Sequence, residues 1–424
     1  MRERLKGFSR LISIEHAREI LRGKITHRIV DVEEVDLIAA AGRVCGEDIR
    51  APTDFPAYDR SAVDGYAVVA EDTFGASPTN PVELRLVYRI ELGADPSSLP
   101  EIRRGEASEV PTGGPIPRGA NAVVPHEHTR RINGRLEVYE QVRPLQNISR
   151  RGEDYRSGEI VLRRGWLIKP WHIAALASLG FKSLRVVRRP RVAILSSGGE
   201  LVEPGEKLAP GKVYNCTKPM IWSMLAFYGA EPIDLGIVPD DVDVISERVS
   251  DGLAISDAVI VTGGTSVGER DLVPEAISRI GEIVVHGLAI RPGKPMGFAI
   301  ASGKPVFMLS GFPVAALIGL QELVIPALEH MLGCRFDPPP RISGRLTRRV
   351  ASPPGIRTYV RVRVFRGADG EVLIEPLRVT GSGILSTLTR GNGLLVISEE
   401  LEGLDEGSEV EVILLSPIFE GGEP

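Results

Sequence analysis

Cysteine is nearly missing from this chain of 424 residues. Cys45, Cys216 and Cys334 are isolated and odd in number, a pattern of neither a disulfide scaffold nor a zinc site. A strong charge of one sign is missing as well. A formal net charge of −5 supplies no field that would gather nucleic acid, although it leaves room for a local basic pocket. No unbroken apolar run approaches the ~20 residues of a membrane helix, and residues 1–6 carry no signal-peptide core, so a cytoplasmic location is expected. Lysine is scarce: nine of the 51 Lys and Arg residues. A lysine inside a Gly/Pro-rich loop, such as Lys294, therefore stands out. The remaining composition, 43% hydrophobic and 25% charged, is that of an ordinary soluble globular protein. The length leaves room for roughly two to four domains.

The rhythm of the chain changes three times. Ser13 can cap a short helix whose apolar positions Ile14, Ala17, Ile20 and Leu21 follow helical spacing, and 33–50 suggests a strand and a small-residue helix. From 51 to 158, short β-type runs (Val82–Ile90, Ala122–Val124, Leu136–Val142) are separated by Gly/Pro turns, as in a β-rich insertion. From 190, the apolar strand candidates Arg191–Leu195, Pro232–Ile237, Ala258–Val261 and Val306–Leu309 alternate with helices. Those helices are expected at Lys218–Phe227, Val242–Leu253, Leu272–Ile280 and from Val314 to about Leu332. Such alternation implies parallel βαβ units with helices on both faces. After the Asp337-Pro-Pro-Pro340 linker, β alternation and Gly-containing turns suggest a small barrel or sandwich. The expected fold class is multidomain α/β plus β: a parallel three-layer α/β domain, a β-rich inserted domain and a C-terminal β-barrel. The expected divisions are 1–50 with 159–189 (an elongated, dimerising region), 51–158, 190–337 and 338–424.

Chemistry concentrates in loops. Tyr58-Asp-Arg-Ser-Ala-Val-Asp-Gly-Tyr66 sets Asp59 and Asp64 five apart, with Gly65 offering backbone freedom before an apolar run. In the α/β segment, four loops fall at expected strand ends: Ser196-Ser-Gly-Gly-Glu200, Pro239-Asp-Asp241, Gly263-Gly-Thr-Ser-Val-Gly-Glu-Arg-Asp271 and Arg291-Pro-Gly-Lys-Pro295. The third can turn amides and hydroxyls toward an anion, or be a tight connection; it is not a Walker A loop. Glu200, Asp240 and Asp271 beside it would suit Mg²⁺, a hard ion that bridges carboxylates and phosphate oxygens. Helix capping is the plain alternative for Asp240 and Asp271. Arg291 and Lys294 carry permanent charge in a stiff frame suited to a phosphate or oxyanion. His126 and His128 would share one face of a strand, with no third metal ligand evident. Asp154, after Arg150 and Arg151, either joins an arginine network or reaches a ligand.

Taken together these motifs resemble the molybdopterin molybdenumtransferases, the family that includes the E domain of gephyrin. The likeness runs through 55–67, 112–124, 151–154, 197–201, 263–271, 288–295, 381–384 and 391–393. It implies an enzyme that takes adenylylated molybdopterin and molybdate or tungstate, cleaves the pyrophosphate link with Mg²⁺, releases AMP and leaves the metal on the dithiolene. It also implies a homodimer with the cleft between subunits, and transient contact with a molybdopterin adenylyltransferase or with acceptor enzymes. No nucleic-acid or membrane partner is implied. The family's acids fall on Asp64, Asp154, Glu200, Asp240 and Asp271. Its substrate-binding positions fall on Thr112, Ser197, Gly263, Gly264, Ser266, Arg291, Lys294, Arg361 and Ser382. The chain departs from the pattern at Gly199, Gly287, Ser310 and Phe312. Adenylylation of molybdopterin and a non-catalytic, gephyrin-like scaffold are the competing readings.

Overall fold

The computed structural model describes residues 11–263, 272–378 and 381–421. Helix α1 (Ile14–Lys24) begins where expected: Ser13 Oγ accepts the His16 N–H at 3.3 Å. Its face of Ile14, Ala17 and Leu21 is buried in the largest core. Strands β1 (Val32–Asp36) and β2 (Ile49–Arg50) find their partners far along the chain. β1 pairs with Ser183–Val187 and β2 with Ile160–Leu162, both antiparallel.

The residues between form a sheet of their own. Strands β3 (Gly65–Val68), β4 (Val82–Arg89), β5 (Glu106–Val110), β6 (Ala122–Pro125), β7 (Thr129–Ile132) and β8 (Arg135–Val138) pair in the order β6-β3-β5-β4-β8-β7. This curled sheet has its own core, which includes Tyr66, Val68, Leu84, Leu136 and Val138. The strands that return to β2 and β1 are β9 (Ile160–Leu162) and β10 (Ser183–Val187), with helix α2 (Pro170–Ser178) between them.

The α/β part follows: β11 (Arg191–Ser197), α3 (Thr217–Phe227), β12 (Glu231–Val238), α4 (Val242–Ile255), β13 (Ala258–Thr262), α5 (Leu272–Ser278), β14 (Glu282–His286), β15 (Ile290–Arg291), β16 (Gly297–Ala301) and β17 (Lys304–Leu309). Its sheet runs β12-β11-β13-β17-β16-β14. Alternation along β11 separates the two faces: Val192 and Ile194 join the core under α1 and α3, Ala193 and Leu195 the core under α4 and α5. Four strands pair in parallel, but β16 runs antiparallel to both its neighbours, β17 and β14, so the sheet is mixed where an all-parallel one is expected. The cause is local. Ser302 (φ 52°) and Gly303 (φ 75°) make a two-residue turn between β16 and β17, and so short a link joins only antiparallel neighbours.

Helix α6 (Pro313–Gly319), a π-helical turn (Leu320–Val324) and α7 (Ile325–Leu332) run on as one rod. At 20 residues and mean hydropathy 1.3 it is long and apolar enough to cross a membrane, which a search for unbroken apolar runs overlooks. It is 72% buried within the protein and serves as its central core helix. The last region closes on itself. Strands β18 (Arg341–Leu346), β19 (Arg357–Arg366), β20 (Val372–Arg378), β21 (Gly393–Ile397) and β22 (Glu409–Leu414) pair β19-β20-β18-β22-β21 and back to β19, a five-stranded barrel. Val360, Val362, Val364, Leu395 and Val412 fill it.

Candidate functional site at the strand ends

The carboxyl ends of four parallel strands open along one edge of the α/β sheet. Register sets Ser197 beside Val238, Ser196 beside Thr262 and Thr262 beside Leu309. The loops bearing Glu200, Asp240, Gly263 and Ser310 are therefore neighbours. β11 lies between β12 and β13, so the chain reverses direction across the sheet at Ser197, the topological switch point where such sheets hold ligands.

Ser197, itself buried, donates its hydroxyl to Asp240 Oδ1 at 2.6 Å and ties two of these loops together. Asp240 is not consumed by capping. Asp241 caps α4, accepting the N–H groups of Asp243 and Val244 at 2.9 and 3.1 Å, and leaves the exposed Asp240 carboxylate at the rim. Glu200 is exposed, and its carboxylate folds back over Gly198. Gly263 (φ 92°) admits no side chain, because a Cβ would stand 2.1 Å from the Ser197 carbonyl oxygen. Gly264, Ser266 and Asp271 lie outside the described residues.

Beneath the rim is a polar layer that sequence reasoning missed. Asn215 Nδ2 and Thr262 Oγ1 both reach Ser196 Oγ, at 2.9 and 3.1 Å, and Thr217 Oγ1 donates to the Gly311 carbonyl at 2.6 Å. Buried and mutually bonded, these groups fix the loops they underlie. The signal was present in the small polar residues around the expected start of α3.

Arg291 stands on β15, which pairs in parallel with β19 so that Arg291 lies beside Thr358. Lys294 is exposed two residues beyond the Arg291-Pro292 step, and its carbonyl accepts the Leu288 N–H at 2.8 Å. Arg361 is 1% exposed. Its guanidinium is spent inside the protein, with Nε on Thr387 Oγ1 at 3.2 Å and the Nη groups 3.4 Å from the Tyr359 and Gly381 carbonyls. Arg361 thus shapes the loop that bears Ser382. The Ser382 carbonyl accepts the Val314 N–H at 3.0 Å, satisfying an orphan donor in the first turn of α6.

A second group of expected residues sits in the loops of the inserted region. Asp64 Oδ1 accepts the Thr112 N–H at 2.7 Å. That bond, with the Thr112 hydroxyl, holds the Asp64 carboxyl below the usual range. Asp59 Oδ1 accepts the Arg151 N–H at 2.7 Å, and Arg151 Nε reaches Asp54 Oδ2 at 2.7 Å. The two spaced acids thus have different roles: Asp59 stitches loops, while Asp64 lies exposed beside Thr112. Asp154 is exposed, and its N–H bonds to the Phe55 carbonyl at 3.1 Å. The arginine network falls to its neighbours, with Arg151 on Asp54 and the Arg150 N–H on Glu153. Gly65 opens β3 rather than a turn, and what demands glycine there is the Val124 carbonyl, 2.2 Å from where a Cβ would stand. His126–His128 is a 3₁₀ turn, not a strand. His128 pairs with Glu140 at 3.0 Å and His126 packs edge-on against Tyr66.

Among the described residues no three His, Cys, Asp or Glu side chains gather as a metal cage. Mg²⁺ does not require one, since it commonly takes one or two carboxylates, waters and substrate phosphates. Glu200 and Asp240, hard oxygen donors at the ends of adjacent strands, fit that pattern.

A mixed α/β sheet with hydroxyl, glycine and carboxylate loops at its switch point, joined to an inserted sheet and a barrel, defines a multidomain protein of the class whose α/β sheets take small ligands at the strand ends. Known families match in the same order. The MoeA N-terminal region (domains I and II) matches residues 12–180, a probable molybdopterin binding domain 193–330, and the MoeA C-terminal region (domain IV) 343–415. A putative molybdopterin biosynthesis protein of Methanocaldococcus jannaschii is 38% identical, over 97% of this chain and 100% of its own length. Molybdopterin molybdenumtransferase 2 of Mycobacterium tuberculosis is 34% identical, over 89% of this chain and 94% of its own. The crystal structure of the molybdopterin biosynthesis MoeA protein of Pyrococcus horikoshii superposes with a TM-score of 0.82 at 34% identity, covering 96% of this chain and all of that one. The chain belongs to the molybdopterin molybdenumtransferase (MoeA) family of molybdenum cofactor biosynthesis enzymes.

Proposed function

We propose that this enzyme moves molybdenum or tungsten from its oxyanion onto adenylylated molybdopterin at the strand-end rim, with cleavage of the phosphoanhydride link and release of AMP. The carrying observation is the 2.6 Å contact of Ser197 with Asp240 beside the Gly263 backbone: a hydroxyl, a carboxylate and a bare main chain at one switch point. Gly263 lets its loop pack against the Ser197 main chain at the rim, and Arg291 and Lys294 offset the charge of the diphosphate or of the oxyanion. Mg²⁺ held by Glu200, Asp240 and Asp271 would neutralise the phosphate oxygens and favour AMP as leaving group. Incubating the protein with adenylylated molybdopterin, Mg²⁺ and either molybdate or tungstate is expected to release AMP. Release with neither oxyanion defeats the reading.

Asp64, Thr112 and Asp154 complete the site across a twofold axis, each from the partner of the subunit that supplies the rim. Two observations support this. Asp64 precedes a strand of the inserted sheet and Asp154 lies in the loop that follows that sheet in the chain, both outside the α/β part. Large apolar side chains are exposed elsewhere, with Trp171 67% and Phe227 84% accessible. Asp64→Ala and Asp240→Ala should each be inactive alone, while a re-equilibrated mixture regains roughly a quarter of wild-type turnover, since half the dimers carry one intact site of two. No recovery on mixing sinks the shared-site arrangement.

A further inference from the structure

The π-helical turn in the central rod carries a buried acid that the proposed chemistry does not use. Glu322 has a side chain 12% exposed, yet four groups from other elements surround it. From α1, Arg18 pairs with its carboxylate, and Arg18 Nε donates to its backbone carbonyl at 2.9 Å. That carbonyl is open to Arg18 because Pro326, four residues on, has no N–H to give it. From the barrel, the side chain of Tyr359, a residue 2% exposed, and the Arg357 charge both stand close to the Glu322 carboxylate. Glu15 of α1 pairs with Arg357, whose Nε also reaches Glu399 Oε2 at 3.0 Å. Burial pushes the Glu322 carboxyl up, while Arg18, Tyr359 and Arg357 pull against that.

The knot lies directly under β15. The Arg357 N–H bonds to the Ala289 carbonyl at 2.9 Å, Ile290 pairs with Arg357, and Arg291 pairs with Thr358. The strand that carries Arg291 is thus laid on a barrel strand whose first three side chains include two anchored in the knot. The backbone at Arg291 is thereby tied to β19, and through it to whatever seats β19.

We propose that Glu322, acting with Tyr359, is a positioning residue: it seats the barrel strand that sets where Arg291 meets the anionic substrate. This rests on the reading of Arg291 given above. Tyr359→Phe removes only the hydroxyl and keeps the packing; Glu322→Gln keeps an acceptor and removes the charge. Each variant should stay folded by circular dichroism, raise the KM for the oxyanion about tenfold with kcat little changed, and speed hydrogen exchange at the Arg357 amide. In an Arg291→Ala background either change should add nothing further to KM. Wild-type KM in both variants, or effects that add fully to those of Arg291→Ala, overturns the inference alone. If Arg291→Ala itself leaves the oxyanion KM unchanged, the reading of Arg291 falls and this inference falls with it.

Discussion

At the scale of single residues, the rim asks different things of neighbouring groups. Asp240 is exposed, fixed by Ser197 and free of capping duty, so its charge is available to substrate. Asp240→Asn is expected to lower turnover by about 100-fold or more with the melting temperature unchanged, measured as AMP release beside a thermal scan. Gly263→Ala is a backbone problem: at φ 92° and 2.1 Å from the Ser197 oxygen, the methyl forces the loop to move. It should cost about 1–3 kcal/mol in denaturant unfolding and reduce turnover as well. Asp64 shows how local bonding sets charge. Its folded pKa is lowered, first by the Thr112 N–H and then by the Thr112 hydroxyl. The ionised form is therefore favoured above the ordinary carboxylate range and lost only as pH falls through the lowered value. Thr112→Val keeps the N–H and removes the hydroxyl, so carboxyl NMR should show the Asp64 titration move up, but only part of the way. The sequence exposed Asp64 and Asp240 as candidates, yet not that Asp59 and Asp241 are structural. Which of two near neighbours caps a helix or ties a loop depends on where backbone donors point.

At the scale of elements, the opposite ends of the strands carry the stability. Asp257, just before β13, receives both Nη groups of Arg188 at 2.7 Å, the Arg191 N–H at 2.7 Å and His27 Nε2 at 2.8 Å. Burial opposes its charge, but these donors outweigh burial and hold its pKa at about 2. The folded value lies below the unfolded one, so the stabilisation, about 2 kcal/mol, is present above pH ~4 and disappears as pH falls toward 2. Asp257→Asn should destabilise the protein by about 2 kcal/mol, because it removes the charged partner of both Arg188 Nη groups and leaves Arg188 only the exposed Asp31 as a charged partner. It should leave the oxyanion KM unchanged at the far rim. Urea unfolding at pH 7 and pH 3 checks both points, since the mutant should lose less stability over that change than the wild type, the other carboxylates with lowered pKa still contributing. The strands and helices here were legible to within a few residues, because runs such as Val192–Leu195 and Ala258–Val261 are apolar throughout and punctuated by polar loops. The antiparallel strand β16 was not, since Ser302-Gly303 was not recognised as a hairpin turn.

At the scale of the molecule, the chain carries several cores. The inserted sheet, the two faces of the α/β sheet and the barrel each bury their own cluster. All three tryptophans, Trp166, Trp171 and Trp222, lie outside residues 51–158. Urea unfolding followed by tryptophan fluorescence should therefore not coincide with unfolding followed by far-UV circular dichroism, which also sees the inserted sheet. Superimposable curves would mean that the sheets unfold as one cooperative unit.

The sequence by itself determined the family, the order of the regions and the strand-end loops, because apolar periodicity and glycine-rich punctuation are local properties of the chain. Only the tertiary structure decided that Ser197 meets Asp240, that Arg361 turns inward and that Glu322 meets Arg18. Those contacts join residues far apart in sequence, and their geometry follows from strand register and helix packing, which no short segment encodes.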